Sequence, residues 1–385
     1  MPHRPAIAAI TTIYHKYSHT QHIVDRFLEG YGWAGTHHHP PMDLVSLYVD
    51  QVGEGDLSRD RAERFPQMKI YPSIAETLTL GGDTLAVDGV LLVGEHGEYP
   101  TNEKGQRQYP RYEMFQEIVK VFEAGGRSVP VFNDKHLSWN WEWAREMYDT
   151  AQRLGFAFMA GSSLPVCWRY PPLLLERGVE IEEALVVGYG GLESYGFHAL
   201  ETLQCMIERR KGGESGIGAV RAVRGEAIGK TRAAGKWSLE LLEAALAVLP
   251  EQHRRNVPIL ETLQKRGAVY LLEHRDGLRS SVVMANGVSA QFIFAAKLKG
   301  RKQPVATWFK LEEGKPYGHF EHLLRAIEHM IQTRRPAYPV ERTLVTTGVL
   351  DRVMHSLADN GRRFETPELK IEYKASDWGF ANDKS

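Results

Sequence analysis

The sequence predicts an α/β protein with a parallel sheet covered by helices, followed by an α+β domain with an open, mainly antiparallel sheet. Two observations lead to this prediction. In the first part of the chain, short segments that are apolar throughout alternate with segments of helical spacing, which is typical of a parallel sheet buried on both faces. In the second part, strand-like segments follow one another around an Asn286-Gly287 turn, which is typical of antiparallel hairpins.

Residues 1–165 are predicted to form the parallel-sheet domain. Its strands are expected at Ala6–Ile13, Leu44–Val49, Val87–Val93, Val129–Phe132 and Ala157–Ala160. Its helices are expected at Ile23–Tyr31, Ser58–Phe65, Ile74–Leu80, Tyr112–Ala124 and Asn140–Leu154. Glycine follows the last two helices, at Gly125-Gly126 and Gly155, as is common at helix C-termini.

The boundary between the domains is expected near residue 165, because the Pro-rich stretch SSLPVCWRYPP interrupts the alternation there. Residues 166–385 are predicted to form an α+β domain. Its strands are expected at Glu182–Gly188, Val220–Ile228, Ala268–Glu273, Arg279–Ala285, Ala290–Lys297 and Val305–Lys310. Its helices are expected at Tyr195–Arg210, Ser238–Val248, Phe320–Thr333 and Glu341–Asn360.

The composition excludes several classes of protein. The 385 residues carry a net charge of −1, which gives no reason to expect nucleic acid or an anionic membrane surface as a partner. No segment approaches the ~20 apolar residues of a membrane span, and the N-terminus has no secretory h-region. The two cysteines, Cys167 and Cys205, are too few for a disulfide framework. A cytoplasmic location is therefore expected.

Polar residues follow two of the predicted parallel strands. Asn133-Asp134-Lys135-His136 comes after one strand, and Gly94-Glu95-His96-Gly97 comes after another. Ligands of open α/β sheets bind beyond the carboxyl ends of the strands. A lysine at a buried strand end can be desolvated, which lowers its pKa and suits it to acid–base work. The alternative is a polar surface turn in which Lys135 pairs with Asp134.

The order of these elements and several short motifs resemble the Gfo/Idh/MocA family of sugar-type dehydrogenases. VDGVLLVGEH lies where that family has its "VDAV-I-TPN-H" strand and loop, and VPVFNDKH lies where it has a strand ending in Glu-Lys-Pro. GGLESYGFHALETL resembles its "G-LLD-GIH-ID-L" segment. The resemblance implies a Rossmann-like first domain, a role in substrate binding and oligomerisation for residues 166–385, and a homodimer or homotetramer. It places Lys135 on the family's catalytic lysine and His198 on its catalytic or substrate-orienting histidine.

The resemblance also implies an oxidoreductase that acts on a hydroxyl of a sugar, glycoside or polyol with NAD or NADP. Asp50 lies at a strand end where a ribose-binding acid is expected. The first strand–helix connection, TTIYHKYSH, has no glycine, whereas a dinucleotide loop uses glycines to let the backbone approach the pyrophosphate. The hydroxyls of Thr11 and Thr12 are the candidates to donate to phosphate instead.

Candidate substrate contacts surround the two catalytic residues. His198 and Glu201 are three residues apart and so share one helix face. Trp168 and Tyr170 carry aromatic rings of the kind that stack on sugar faces. The full set of predicted substrate-binding residues is Glu95, His96, Asp134, His136, Trp168, Tyr170 and Glu201.

Two other functions remain open from the residues alone. A redox-inactive relative would use the same cleft for acid–base chemistry as a lyase, isomerase or hydrolase. It could hold a divalent metal such as zinc or manganese, with the ligands Glu95, His96, His136 and His198. In the second alternative, the chain is a non-catalytic binding protein on the same scaffold.

Overall fold

The structure is a computed structural model that describes residues 4–383. The described chain divides into two compact units. Unit 1 contains the residues up to Pro100 together with Gln108–Ser163 and Glu312–Val340. Unit 2 contains Thr101–Arg107, Leu164–Leu311 and the residues from Glu341. The predicted boundary at residue 165 lies close to the division between Ser163 and Leu164. Two segments cross this boundary, because 101–107 belongs to unit 2 and 312–340 belongs to unit 1.

The described residues form sixteen strands and eleven α-helices. The strands are β1 (Ala6–Thr11), β2 (Tyr31–Trp33), β3 (Thr36–His38), β4 (Asp43–Val49), β5 (Lys69–Ile70), β6 (Gly89–Val93), β7 (Val131–Asp134), β8 (Phe158–Gly161), β9 (Trp168–Tyr170), β10 (Ile181–Gly188), β11 (Ile217–Val223), β12 (Ala268–His274), β13 (Arg279–Met284), β14 (Phe292–Leu298), β15 (Val305–Lys310) and β16 (Phe364–Glu365). The helices are α1 (His19–Glu29), α2 (Ser58–Arg64), α3 (Ile74–Thr79), α4 (Arg111–Gly125), α5 (Trp141–Leu154), α6 (Ser194–Ile207), α7 (Glu226–Ala233), α8 (Leu239–Ala247), α9 (Ile259–Arg266), α10 (His319–Thr333) and α11 (Glu341–Ala358).

Unit 1 is built on a six-stranded sheet with the order β5-β4-β1-β6-β7-β8. Every pair of neighbouring strands in it is parallel. The central strands are buried because their residues are apolar on both faces, as in β6, where all five residues are buried. Helices α1, α3 and α4 pack against the sheet. This arrangement confirms the predicted Rossmann-like parallel sheet.

Unit 2 is built on an eight-stranded open sheet with the order β16-β11-β12-β13-β10-β14-β15-β9. Its neighbouring strands are antiparallel except for β10 and β13, which run parallel. Helices α6, α8 and α11 pack against it. The apolar core beneath α8 includes Trp237, Leu241 and Val283. The predicted open, mainly antiparallel sheet is confirmed.

Two local features differ from the expected elements. The strand expected at Val220–Ile228 is β11, which ends at Val223, because Gly225 turns the chain with a φ of 61°. The hairpin β2–β3 follows α1 and begins at Tyr31, where the helix was expected to end. Gly30 permits this turn: its φ is 85°, and a Cβ there would lie 2.5 Å from the His38 carbonyl oxygen.

No helix in the described part of the chain is long and apolar enough to cross a membrane.

Candidate active site

The carboxyl ends of β1, β6 and β7 meet at one edge of the unit 1 sheet. The parallel register pairs Thr11 with Val93 and Leu92 with Asn133, so the residues that follow these strands are neighbours. The Thr12 hydroxyl ties two of the strand ends together by donating to the Glu95 carbonyl oxygen at 2.8 Å. Five of the predicted catalytic and substrate-binding residues, all from unit 1, therefore lie at the same edge: Glu95, His96, Asp134, Lys135 and His136.

The backbone after β7 is held in an unusual turn. Lys135 has a φ of 66°, and His96, after β6, has a φ of 68°; this left-handed conformation costs a non-glycine residue about 1–2 kcal/mol. The Lys135 amide donates to the Gly161 carbonyl at 2.9 Å. The Asn133 side-chain amide donates to the three carbonyls that follow it, at 3.2–3.4 Å. Buried hydrogen bonds thus fix the direction in which the Lys135 side chain leaves the strand.

The side chains at this edge form a buried, charged cluster. One Glu95 oxygen lies 3.0 Å from Lys135 Nζ, and the other accepts from Arg111 Nη2 at 2.5 Å. Arg111 Nη1 lies 3.1 Å from His136 Nε2. Arg111 is the first residue of α4 and is fully buried. Gly94 admits it, because a Cβ at that position would lie 2.6 Å from Arg111 Cγ.

The charges in this cluster are set by burial and by the two cations. Burial would raise the pKa of Glu95, but Lys135 and Arg111 outweigh it and hold that pKa well below the ordinary 4.5. Burial, assisted by Arg111, holds the pKa of His136 well below 6.5. At neutral pH, Glu95 is therefore a carboxylate and His136 is neutral. Two cations, Lys135 and Arg111, therefore contact one carboxylate, that of Glu95, and a second carboxylate, that of Asp134, lies at the same edge.

A second polar pair lies at the same edge. His19, the first residue of α1, has its Nδ1 atom 2.7 Å from Asp134 Oδ2. The other carboxylate oxygen, Oδ1, is buried and has no hydrogen-bond partner among residues 4–383. The His96 ring lies 5.4 Å from the His19 ring, and burial together with His19 lowers the pKa of His96 to about 4. Sequence reasoning did not select His19 or Arg111 for this site.

The threonines expected to bind phosphate are occupied by other contacts. Thr11 donates its hydroxyl to the Tyr48 carbonyl at 2.9 Å, and Thr12 donates to Glu95 as described. A hydroxyl has one hydrogen to donate, so neither is available to phosphate in this arrangement. The connection between β1 and α1 also contains Tyr14, whose fully buried side chain donates its hydroxyl to Asp25. This connection is therefore filled by side chains where a dinucleotide loop has glycines.

Asp50 suits the ribose end of a dinucleotide better than the threonines suit its phosphates. It is exposed directly after β4, and its two oxygens accept from the hydroxyls of Tyr48 at 3.0 Å and Tyr99 at 2.7 Å. An exposed carboxylate at this strand end can accept from ribose hydroxyls. The start of α1 offers backbone N–H groups of the kind that hold phosphates in such folds. The described residues thus fit a dinucleotide through Asp50 and the start of α1.

His198 lies in unit 2 on the first turns of α6. It is half-buried, and its ring lies 5.8 Å from that of Tyr195 and 6.0 Å from that of Phe292. Glu201, one turn further along, is fully buried and accepts from the hydroxyls of Thr343 and Thr346 at 3.3 and 3.2 Å. These bonds join α6 to α11, so Glu201 has a structural role in unit 2. The predicted substrate role of His198 stays a prediction.

The two aromatic candidates, Trp168 and Tyr170, lie on β9, the edge strand of the unit 2 sheet. Tyr170 is 41% exposed, and Trp168 is partly buried. The Tyr170 ring lies 6.2 Å from that of Trp308, its neighbour in the register with β15. Their predicted contact with a sugar ring also stays a prediction.

No group of three or more His, Cys, Asp and Glu side chains among the described residues is placed to hold a metal ion. Of the ligands considered for zinc or manganese, Glu95 and His136 bond to Arg111 instead. His96 contacts the rings of His15 and His19, and His198 lies in unit 2.

Three solved structures resemble this chain over most of its length. GenD2 from gentamicin A biosynthesis, in complex with NAD, has a TM-score of 0.59 at 14% identity, covering 95% of this chain and 97% of its own. A myo-inositol dehydrogenase from Corynebacterium glutamicum ATCC 13032 has a TM-score of 0.55 at 13% identity, covering 94% and 99%. Biliverdin reductase from Synechocystis sp. PCC 6803, in complex with biliverdin and NADP+, has a TM-score of 0.52 at 13% identity, covering 91% and 98%.

No protein-family model matches the chain, and no curated protein matches its sequence. At 10–14% identity, the likeness to solved structures is a likeness of fold. It extends over both units, because more than nine-tenths of each chain is covered. The chain therefore has the fold of the Gfo/Idh/MocA dehydrogenases that its sequence motifs resemble.

Proposed function

We propose that this chain is a nicotinamide-dependent oxidoreductase that acts on a hydroxyl of a sugar, glycoside or polyol. The observation that carries the proposal is the buried Lys135–Glu95 ion pair at the carboxyl edge of the parallel sheet. The fold supports it, because solved structures that share the fold include a myo-inositol dehydrogenase and a protein in complex with NAD.

The chain's own residues would bind and polarise the substrate. Lys135, held by Glu95 and by its left-handed backbone, would donate a hydrogen bond to the oxygen of the reacting hydroxyl. Arg111 would keep Glu95 ionised and in place. Asp50 would accept from the ribose of NAD or NADP, and the bound nicotinamide would supply the hydride acceptor. A hydrogen bond from Lys135 would stabilise an oxygen that gains negative charge as its proton leaves.

The test is oxidation of defined polyols by the purified full chain. It would be mixed with NAD+ or NADP+ and with myo-inositol, scyllo-inositol or glucose, and the absorbance of the reduced nicotinamide would be followed. We expect reduction with at least one polyol, and we expect Lys135→Met to lower kcat by about 10²–10³-fold, the contribution of one positioned hydrogen-bond donor to a developing negative charge. Lys120→Met is the matched control, because Lys120 is exposed and pairs with Glu117 on α4.

A second candidate function is favoured by the connection between β1 and α1. Its buried Tyr14 and its occupied threonine hydroxyls support a relative that binds no dinucleotide and uses the same cluster for acid–base chemistry on a sugar-like molecule. Calorimetric titration with NAD+, NADP+, NADH and NADPH separates the two candidates. If none of these four dinucleotides gives a heat of binding while a polyol does bind, the redox-inactive candidate is favoured.

A further inference from the structure

His19 and Asp134 form a hydrogen-bonded pair that the proposed function does not use. They are 115 residues apart and are brought together by the first turn of α1 and the end of β7. The Asp134 side chain is 1% exposed, whereas that of His19 is 16% exposed. The carboxylate is thus shielded from solvent, and the imidazole that it holds is partly exposed.

This geometry fixes the proton of the neutral imidazole. A buried carboxylate 2.7 Å from Nδ1 accepts the hydrogen of that nitrogen, which leaves the lone pair of the ring on Nε2. No described residue makes a hydrogen bond to His19 Nε2. A histidine whose Nδ1 is held by a carboxylate, and whose Nε2 is open, has the arrangement of a general base.

The His19 ring is surrounded by an aromatic ring, two acids and three other imidazoles. The ring packs edge-on against Phe320 at 5.4 Å. Two acids act on it, Asp134 by direct contact and Glu95 by its charge. Burial lowers the pKa values of the neighbouring imidazoles, which are therefore neutral at neutral pH, to about 4 for His22, about 4 for His96 and about 3 for His319.

Lys135 lies at the same edge, and its ammonium is paired with Glu95.

We propose that His19 is the group that accepts the proton of the substrate hydroxyl and that Asp134 is its positioning residue. The O–H bond breaks, its electron pair stays on oxygen, and an N–H bond forms at Nε2. Lys135 then acts as the hydrogen-bond donor to that oxygen, not as the base. That the substrate group is a hydroxyl rests on the proposed function. The His19–Asp134 pair is observed independently of that function.

The first test needs no substrate. In the full chain labelled with ¹⁵N-histidine, long-range nitrogen–proton NMR correlations report which ring nitrogen carries the proton, and the signal lost in His19→Asn assigns His19. We expect the neutral wild-type ring to carry its proton on Nδ1, and we expect Asp134→Ala to move it to Nε2. Asp149→Ala, on the exposed part of α5, should leave it unchanged. A wild-type ring protonated on Nε2 would overturn the proposal.

The second test uses the polyol that the wild type oxidises fastest. His19→Ala should lower kcat by about 10²–10⁴-fold, and added imidazole should restore part of it. Asp134→Asn should lower kcat in the wild-type background and have little further effect in His19→Ala, because the two residues act as a unit. Full activity in both His19→Ala and His19→Gln would overturn the proposal. If the wild type oxidises no polyol, the proposed function fails, whereas the tautomer still decides whether the pair exists.

Discussion

The buried Arg111–Glu95 pair predicts a large and pH-dependent loss of stability on removal of the arginine. Arg111 is fully buried, and its guanidinium contacts Glu95 at 2.5 Å, His136 at 3.1 Å and the ring of Tyr109, whose centroid lies 5.0 Å away. Removal of one partner of a buried pair costs about 3–5 kcal/mol. Lys135 still neutralises Glu95 in Arg111→Met. We therefore expect a loss of unfolding free energy at the lower end of this range, about 3 kcal/mol, at neutral pH.

The pH dependence follows from the pKa of Glu95. In the folded chain, burial would raise this pKa, but Lys135 and Arg111 hold it well below 4.5. A carboxyl group whose pKa is lower in the folded chain than in the unfolded chain stabilises the fold at pH values above its unfolded pKa. That stabilisation is lost as the pH falls through the folded pKa. In Arg111→Met the folded pKa rises. The difference in unfolding free energy between wild type and variant should therefore be largest at neutral pH and should become smaller below pH 4.5.

Urea unfolding followed by tryptophan fluorescence, at neutral pH and at several values below 4.5, measures this difference. Arg64→Met is the matched control, because Arg64 pairs with Glu29 at 2.9 Å with both side chains largely exposed. Such a pair contributes about 0–1 kcal/mol. If Arg111→Met costs no more than Arg64→Met, or if its cost is the same at every pH, the description of the charged cluster is refuted.

Three further changes have defined outcomes. Gly94→Ala would place a Cβ 2.6 Å from Arg111 Cγ and should destabilise the chain by about 1–3 kcal/mol in urea unfolding. Tyr14→Phe removes the buried hydroxyl that donates to Asp25 and should cost about 1–3 kcal/mol, read from the same curves. Asp50→Asn should weaken NAD(P) binding about tenfold, equal to about 1.4 kcal/mol, in calorimetric titration, with unchanged unfolding.

Each of these predictions has an outcome that would contradict it. Gly53→Ala is the control for Gly94→Ala, since a Cβ there has nothing within 4 Å, and equal stability of the two variants would disprove the close approach of Arg111. Unchanged stability of Tyr14→Phe would mean that its hydroxyl bond is replaced by water. Unchanged dinucleotide affinity of Asp50→Asn would remove the ribose role from this acid.

The fold was predictable where the local sequence pattern determines the secondary structure. Strands such as β6 are apolar on both faces, and that pattern by itself indicates a parallel sheet covered on both sides. The return of 312–340 to unit 1 was not predictable, because it depends on contacts between distant residues. Glu328 on α10, for example, lies 2.9 Å from His38 Nε2 and also accepts from the Tyr31 hydroxyl. No local pattern announces a partner almost three hundred positions away.

The site was predictable in part for the same reason. Strand-end reasoning finds Glu95 and Lys135, because neighbouring parallel strands end at one edge, and the structure brings the two side chains together. It misses Arg111, which reads in the sequence as a charge at the start of an amphipathic helix. It also misses His19. This residue follows β1, whereas its partner Asp134 ends β7, and β6 lies between these two strands in the sheet. Spacing in sequence carries no signal for either contact.

The most direct test of the central claim is the reduction of NAD+ or NADP+ by a polyol, compared between wild type and Lys135→Met. We predict that at least one of myo-inositol, scyllo-inositol and glucose reduces the nicotinamide with the wild type, and that Lys135→Met lowers kcat by about 10²–10³-fold while it still binds the dinucleotide. Equal turnover by wild type and Lys135→Met would contradict the claim that the buried cluster around Lys135 is the active site.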